Sequence, residues 1–212
     1  LAITVFVVVL VMNAVNFIDG LDGLAAGVVG IGTLAFFIYS YVLAQQTSPT
    51  DYFSIAGMLS AVVLGAIAGF LPHNFSPAKI FMGDSGAMLL GLMMATSAIA
   101  VTGSIDPATV TRNDLLPALI PLVLPVVILL VPLLDLLLAV VRRVRRGQSP
   151  FAADREHLHH QLQDLGHSHR GAVLVFYHWT TVVSLCLLLF FWIEAAPVII
   201  IFGAWMIIAL IH

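Results

Sequence analysis

Charge is what this chain has least of. Only 9% of its 212 residues are Asp, Glu, Lys or Arg, against 61% hydrophobic, where a soluble domain of this size carries roughly 25% charged residues. The mean hydropathy is +1.09. A water-soluble globular domain is thereby excluded. One cysteine, Cys186, rules out an internal disulfide, and its apolar surroundings read as a small buried side chain without a redox role. No H-E-x-x-H stretch occurs, which disfavours zinc hydrolysis, and no internal repeat stands out, which weakens a transporter built from inverted repeats. A basic leader with a cleavage site is missing too. The sequence opens at Leu1, already inside an apolar run, so it is expected to begin part-way through a longer protein.

What is present is a series of apolar runs, each about as long as the 18–25 residues a bilayer-spanning helix needs. Seven can be marked, at 1–17, 24–44, 53–71, 85–102, 115–141, 172–193 and 196–212. The expected fold is all-α: a single polytopic membrane domain over 1–212, with a basic, His-rich loop at 142–171. Pro117, Pro121, Pro125 and Pro132 should kink or break the fifth run, which carries Asp135 near its end. Sorting the loops alternately to two faces puts Lys79, Arg142, Arg143, Arg145, Arg146, Arg155 and Arg170 on one side and Arg112 on the other. That asymmetry marks the basic side as cytoplasmic.

Three acid-bearing clusters fall on this same side. Carboxylates are costly near a bilayer, so their retention points to chemistry. The first, NAVNFIDGLDGLAAG (13–27), places Asn13 and Asn16 on one helix face, followed by Asp19-Gly20 and Asp22-Gly23. A solvated turn with asparagines tying helices together is the plain alternative. In the second, HNFSPAKIFMGDSGAMLLG (73–91), Asp84 either caps the next helix or ligates Mg²⁺, a hard cation that prefers oxygen ligands and substrate pyrophosphate. Lys79 can neutralise phosphate, and Phe81 stacks on a base or anchors at the interface. The third runs through Arg142–Arg146 to Asp154, Arg155, His157, His159 and His160. Its arginines read as lipid anchors, and its three histidines as phosphate, proton-transfer or metal groups. His167 and His169 read as surface residues, and His178, between Tyr177 and Trp179, as part of an interfacial aromatic belt.

NxxNFIDGLDGLA, PAKIFMGDSG and DxxHLHH together resemble the polyprenyl-phosphate N-acetylhexosamine-1-phosphate transferases. The spacing His157-Leu158-His159-His160 and the preceding SPFAAD resemble the branch that uses UDP-GlcNAc. The resemblance implies transfer of GlcNAc-1-phosphate from UDP-GlcNAc to a membrane polyprenyl phosphate, undecaprenyl or decaprenyl, with release of UMP. This step starts lipid-linked envelope glycans such as O-antigen, teichoic acid or the arabinogalactan linker. It implies Mg²⁺, or Mn²⁺, with Asp84 as metal carboxylate. Asp19, Asp22, Asp84, His157, His159 and His160 carry over as catalytic, with Asn13, Asn16, Asn74, Lys79, Phe81, Asp154 and Arg155 on substrate.

The implied location is the cell membrane, multi-pass, with the site toward the cytoplasm and a homodimer allowed. No nucleic-acid partner is expected. One departure is that the family's upstream Asp-Asp pair has no counterpart here. A chain lacking it is expected to lack part of the acceptor machinery, and to be inactive by itself if that part is essential. Within the family the alternative is the phospho-MurNAc-pentapeptide translocase of peptidoglycan synthesis. Outside it, Gly83-Asp84-Ser85-Gly86 with His73 or His178 would suit an intramembrane serine protease, and polar helix ends would suit a lipid transporter. Those readings leave the aspartate turn and histidine run, or the absence of mid-helix charge, unexplained.

The loop assignment makes a direct prediction. Cysteines introduced as Ile80→Cys and Gln148→Cys should react with an impermeant thiol reagent only from the cytosolic side, and Ser48→Cys only from outside. Opposite labelling at any of the three would separate the clusters.

Overall fold

The computed structural model describes residues 1–47, 54–104, 166–190, 192–193 and 195–211, together with 126, 127, 129, 137, 140–147 and 149. The described elements are all helical, as the apolar runs require: α1 (Ala2–Ile18), α2 (Leu24–Thr47), α3 (Ile55–Asn74), α4 (Gly83–Ser104), α5 (His169–Leu189) and α6 (Ala195–Ile211). Four of them, α2, α3, α4 and α5, are long and apolar enough to cross a membrane, and shorter apolar helices occupy Thr4–Ile18 and Ala196–Trp205. Exposed outer faces bearing Phe6, Met58, Val62, Ile199 and Ile200 are what a lipid solvent demands of a helix bundle. Most of the fifth run lies outside the described residues, and with it the four prolines and Asp135; residues 140–145 are helical.

Two boundaries depart from expectation. The fifth described helix begins at His169, not 172, because Ser168 caps it: the Ser168 hydroxyl accepts from the Gly171 amide at 3.1 Å. The 142–171 loop therefore ends earlier than expected, and His169 and Arg170 belong to a helical first turn. At α3, the helix continues through Pro72 to Asn74, and the Phe75 amide closes it on the Leu71 carbonyl at 2.8 Å.

Packing follows small residues. α1 lies along α4, α2 along α3 and α5, α3 along α4, and α6 along α5. The shared core holds Val11, Val15, Leu24, Val28, Tyr39 and Val173, all essentially inaccessible. Two hydroxyls inside the apolar layer bond back to their own helix, Ser60 to the Ala56 carbonyl and Thr180 to that of Phe176, and need no partner from another helix.

His178 lies nine residues beyond the start of α5, roughly 14 Å along the axis at 1.5 Å per residue. The Trp205 indole N–H donates to its Nε2 at 3.0 Å.

α1 to α4 alternate in direction, and α5 runs the same way as α4. The C-terminal ends of α1 and α3 and the N-terminal ends of α2, α4 and α5 therefore gather at one end of the bundle. The close crossing of α1 and α4 that fixes this end is testable. A Cβ at Gly91 would stand 2.7 Å from Met12 Cα and 3.1 Å from the Val11 carbonyl oxygen, and backbone cannot rotate aside. Gly91→Ala should destabilise the protein by about 1–3 kcal/mol, read as a lower thermal midpoint in detergent. An unchanged midpoint would contradict the crossing.

Candidate active site

The five-residue gap between α1 and α2, residues 19–23, is spanned by an acidic turn, and its geometry starts from Gly23. This residue has φ +81°, in the left-handed region where glycine alone is unstrained. Its amide donates to Asn74 Oδ1 at 3.1 Å. Its carbonyl accepts from the Tyr177 hydroxyl. The Asn74 side chain, almost fully buried, also donates to the Ile80 carbonyl at 3.0 Å. Asn74 thus joins the acidic turn to the 75–82 loop, satisfying backbone groups that would otherwise be orphaned at a membrane edge.

Asp22 performs a similar task from the other side. Its Oδ2 accepts from the Ala78 amide at 3.1 Å, and its own amide donates to His169 Nε2 at 3.0 Å. The 75–82 loop is further folded by Lys79 and Ile80 amides donating to the His73 carbonyl at 2.8 and 3.2 Å, and Arg170 Nε donates to the Ser76 carbonyl at 2.9 Å. The loop delivers Lys79 and Phe81 to the surface, with Phe81 76% exposed. Gly83, at φ +69°, then turns the chain into α4.

Asp84 sits in the first turn of α4, where the helix dipole favours a carboxylate. It is exposed. Asn16 Nδ2 donates to Asp84 Oδ1 at 3.1 Å, across 68 residues of sequence. Asp19, at the C-terminal cap of α1, is raised to about 6, chiefly by partial burial and then by the negative charges of Asp84 and Asp22. Three carboxylates therefore share one patch of field, a strained arrangement that a cation would relieve.

Of the sequence-predicted residues, the structure brings together Asn16, Asp19, Asp22, Asn74 and Asp84, with Lys79 and Phe81 on the adjoining loop. Asn13 is turned away: its Nδ2 donates to the Val9 carbonyl of its own helix at 2.7 Å. Asp154, Arg155, His157, His159 and His160 lie outside the described residues. Asn74 and Asp22 are occupied in holding backbone, which the sequence did not indicate. His169, Arg170 and Tyr177 were not expected at the site at all. Ser168 ahead of an apolar run was the available signal, since a capped start there puts His169 and Arg170 at the bundle end.

The model for "Glycosyl transferase family 4" matches residues 1–102, spanning the first two clusters. The decaprenyl-phosphate N-acetylglucosaminephosphotransferase of Mycobacterium tuberculosis is 46% identical over 182 residues, 86% of this chain and 45% of that protein. The chain belongs to glycosyl transferase family 4. A probable undecaprenyl-phosphate N-acetylglucosaminyl 1-phosphate transferase of Bacillus subtilis is 38% identical, covering 82% of the chain and 44% of that protein. A phospho-N-acetylmuramoyl-pentapeptide-transferase of Desulforudis audaxviator is 31% identical, covering 89% and 48%. The chain thus spans just under half the length of these family 4 relatives.

Within this family 4 member, the serine-protease arrangement loses one of its two candidate bases. His178 is bonded to Trp205 in the body of α5, far along the helix from the end where Ser85 lies.

The raised Asp19 carboxyl gives a signed prediction. A carboxylate whose folded value exceeds its unfolded value of 3.8 costs stability when ionised, and that cost is relieved as pH falls through about 6. With divalent ions chelated, Asp19→Asn should therefore raise the thermal midpoint at pH 7.5, and the advantage should fade toward pH 4. A variant no more stable than the parent at pH 7.5 would refute the crowding of charge at this turn.

Proposed function

We propose that the protein transfers GlcNAc-1-phosphate from UDP-GlcNAc to a membrane polyprenyl phosphate and releases UMP. The observation that carries this reading is the Asn16–Asp84 hydrogen bond. It unites the first two clusters into one exposed acidic centre, with Asp19 electrostatically coupled to it, at the end of a lipid-facing bundle. Two relatives named for GlcNAc phosphate transfer, at 46% over 182 residues and 38% over 177, support the sugar over the muramoyl alternative, which is 31% identical over 188 residues and reaches 44% only over 95.

The chemistry asks for what this site offers. An oxygen of the lipid phosphate attacks the sugar-bearing phosphorus of UDP-GlcNAc, the bond from that phosphorus to the bridging oxygen breaks, and UMP departs with the electron pair. The lipid phosphate is already ionised at neutral pH, so no strong base is needed. Bringing two anions together is the harder part.

Among the described residues no group of three His, Cys, Asp or Glu is placed to hold a metal ion. A protein cage of that kind is not what Mg²⁺ requires, since it is commonly held by one or two carboxylates plus substrate phosphates. Asp84 fits that demand: it is exposed, one oxygen is oriented by Asn16, and Asp19 supplies further negative charge nearby. Asp84, with Asp19 beside it, would hold Mg²⁺ or Mn²⁺, which supplies charge neutralisation to the pyrophosphate. Lys79 screens phosphate from the 75–82 loop, and Phe81 offers an exposed ring for the uracil. His157, His159 and His160 would bind phosphate by the family resemblance. Lys79 and Arg170 at this end of the bundle favour a cytoplasmic orientation in the plasma membrane, where the nucleotide sugar is made.

The test is UMP release by the full-length protein in detergent, given polyprenyl phosphate and a panel of UDP-sugars. UDP-GlcNAc should be preferred. Asp84→Asn should lower turnover by about 10²–10³ while folding persists. Ser85→Ala should keep most activity. Near-normal turnover of Asp84→Asn would remove the carboxylate from the mechanism, and loss with Ser85→Ala alone would favour hydrolysis by serine.

A further inference from the structure

Three contacts to the loops of the acidic centre come from one helix that none of the motifs includes. At the start of α5, His169 Nε2 accepts the Asp22 amide at 3.0 Å and Arg170 Nε donates to the Ser76 carbonyl at 2.9 Å. Two turns further along, the Tyr177 hydroxyl donates to the Gly23 carbonyl. The Tyr177 ring is seated on α2 so closely that a Cβ at Gly27 would fall 1.9–2.2 Å from its atoms. That seat admits glycine alone.

We propose that α5 is the positioning element of the transfer site and that His169 is its principal positioning residue, holding the Asp19–Asp22 turn in register with the loop that carries Lys79 and leads into Asp84 at the start of α4. The inference rests on the transferase reading above. Asp22 is gripped at both ends, its amide by His169 and its carboxylate by the Ala78 amide. It is therefore a bridge between loops. His169 accepts at Nε2, and a side chain without an acceptor there leaves the Asp22 amide unpaired. The turn then loses one of its anchors, and Asp19 and Asn16, just ahead of it, lose their alignment with Asp84. Displacements of about 1 Å at a reacting centre cost up to 10²-fold in rate.

The experiment compares His169→Leu, which removes the acceptor, with His169→Gln, which restores one, and with Tyr177→Phe, which keeps the ring on Gly27 and deletes only its hydroxyl. Hydrogen–deuterium exchange of the substrate-free protein in detergent reads the Asp22 and Gly23 amides. UMP release from UDP-GlcNAc and polyprenyl phosphate reads kcat and KM. His169→Leu should speed exchange at Asp22 and lower kcat about tenfold, with KM for UDP-GlcNAc within about twofold. His169→Gln should recover most of both. Tyr177→Phe should move both in the same direction by less, and serves if His169→Leu does not fold. Faster exchange with unchanged kcat, a loss confined to KM, or no rescue by glutamine would overturn the proposal. If the unsubstituted full-length protein releases no UMP from any UDP-sugar, the transferase reading fails. The exchange measurement then still decides whether His169 holds the turn.

Discussion

Everything at the acidic end of this bundle depends on pairing the backbone of one short turn. Residues 19–23 must reverse the chain between two apolar helices, at a depth where unpaired amides and carbonyls are costly. The pairing comes from far along the sequence. Asn74 takes the Gly23 amide, His169 takes the Asp22 amide, and Tyr177 takes the Gly23 carbonyl. Each of these bonds also brings another helix end to the turn. Satisfying the backbone and assembling the site are therefore the same act.

That economy sorts the polar residues of the clusters into two kinds. Asn74 and Asp22 spend their hydrogen-bonding capacity on loop backbone and hold positions. Asp84, exposed in the first turn of α4, and Asp19, raised by burial and by its acidic neighbours, keep capacity for something that arrives. A centre that concentrates negative charge without neutralising it is unfavourable to folding alone. It would become favourable if a cation and an anionic substrate completed it, as the proposed transfer reaction requires.

The close helix contacts serve the same end. Gly91 lets α4 approach the backbone of α1 at Met12, and Gly27 admits the ring of Tyr177. In lipid, association has no hydrophobic drive between helices and relies on such close packing. The first crossing brings Asn16 within reach of Asp84. The second brings α5 within reach of the turn.

Sequence alone determined the class of molecule, because sparse charge and long apolar runs admit only a helical membrane fold. It also led to the expectation that the acid clusters share one side, which the structure bears on for the first two through the Asn16–Asp84 bond, and the cluster spelling was specific enough to reveal the family. Boundaries at α3 and α5 escaped it, because a cap at Ser168 and a tolerated Pro72 are decided by local geometry that hydropathy does not see. The distinction between Asn16, which reaches Asp84, and Asn13, which bonds its own helix, was equally hidden: both occupy the same face, and only the position of α4 separates them. His169, Arg170 and Tyr177 could not be read as site residues, because their partners are backbone atoms of loops 94 to 154 residues away in the chain, and backbone carries no letter in a sequence. Tertiary structure decided which polar groups hold the site and which are left to act.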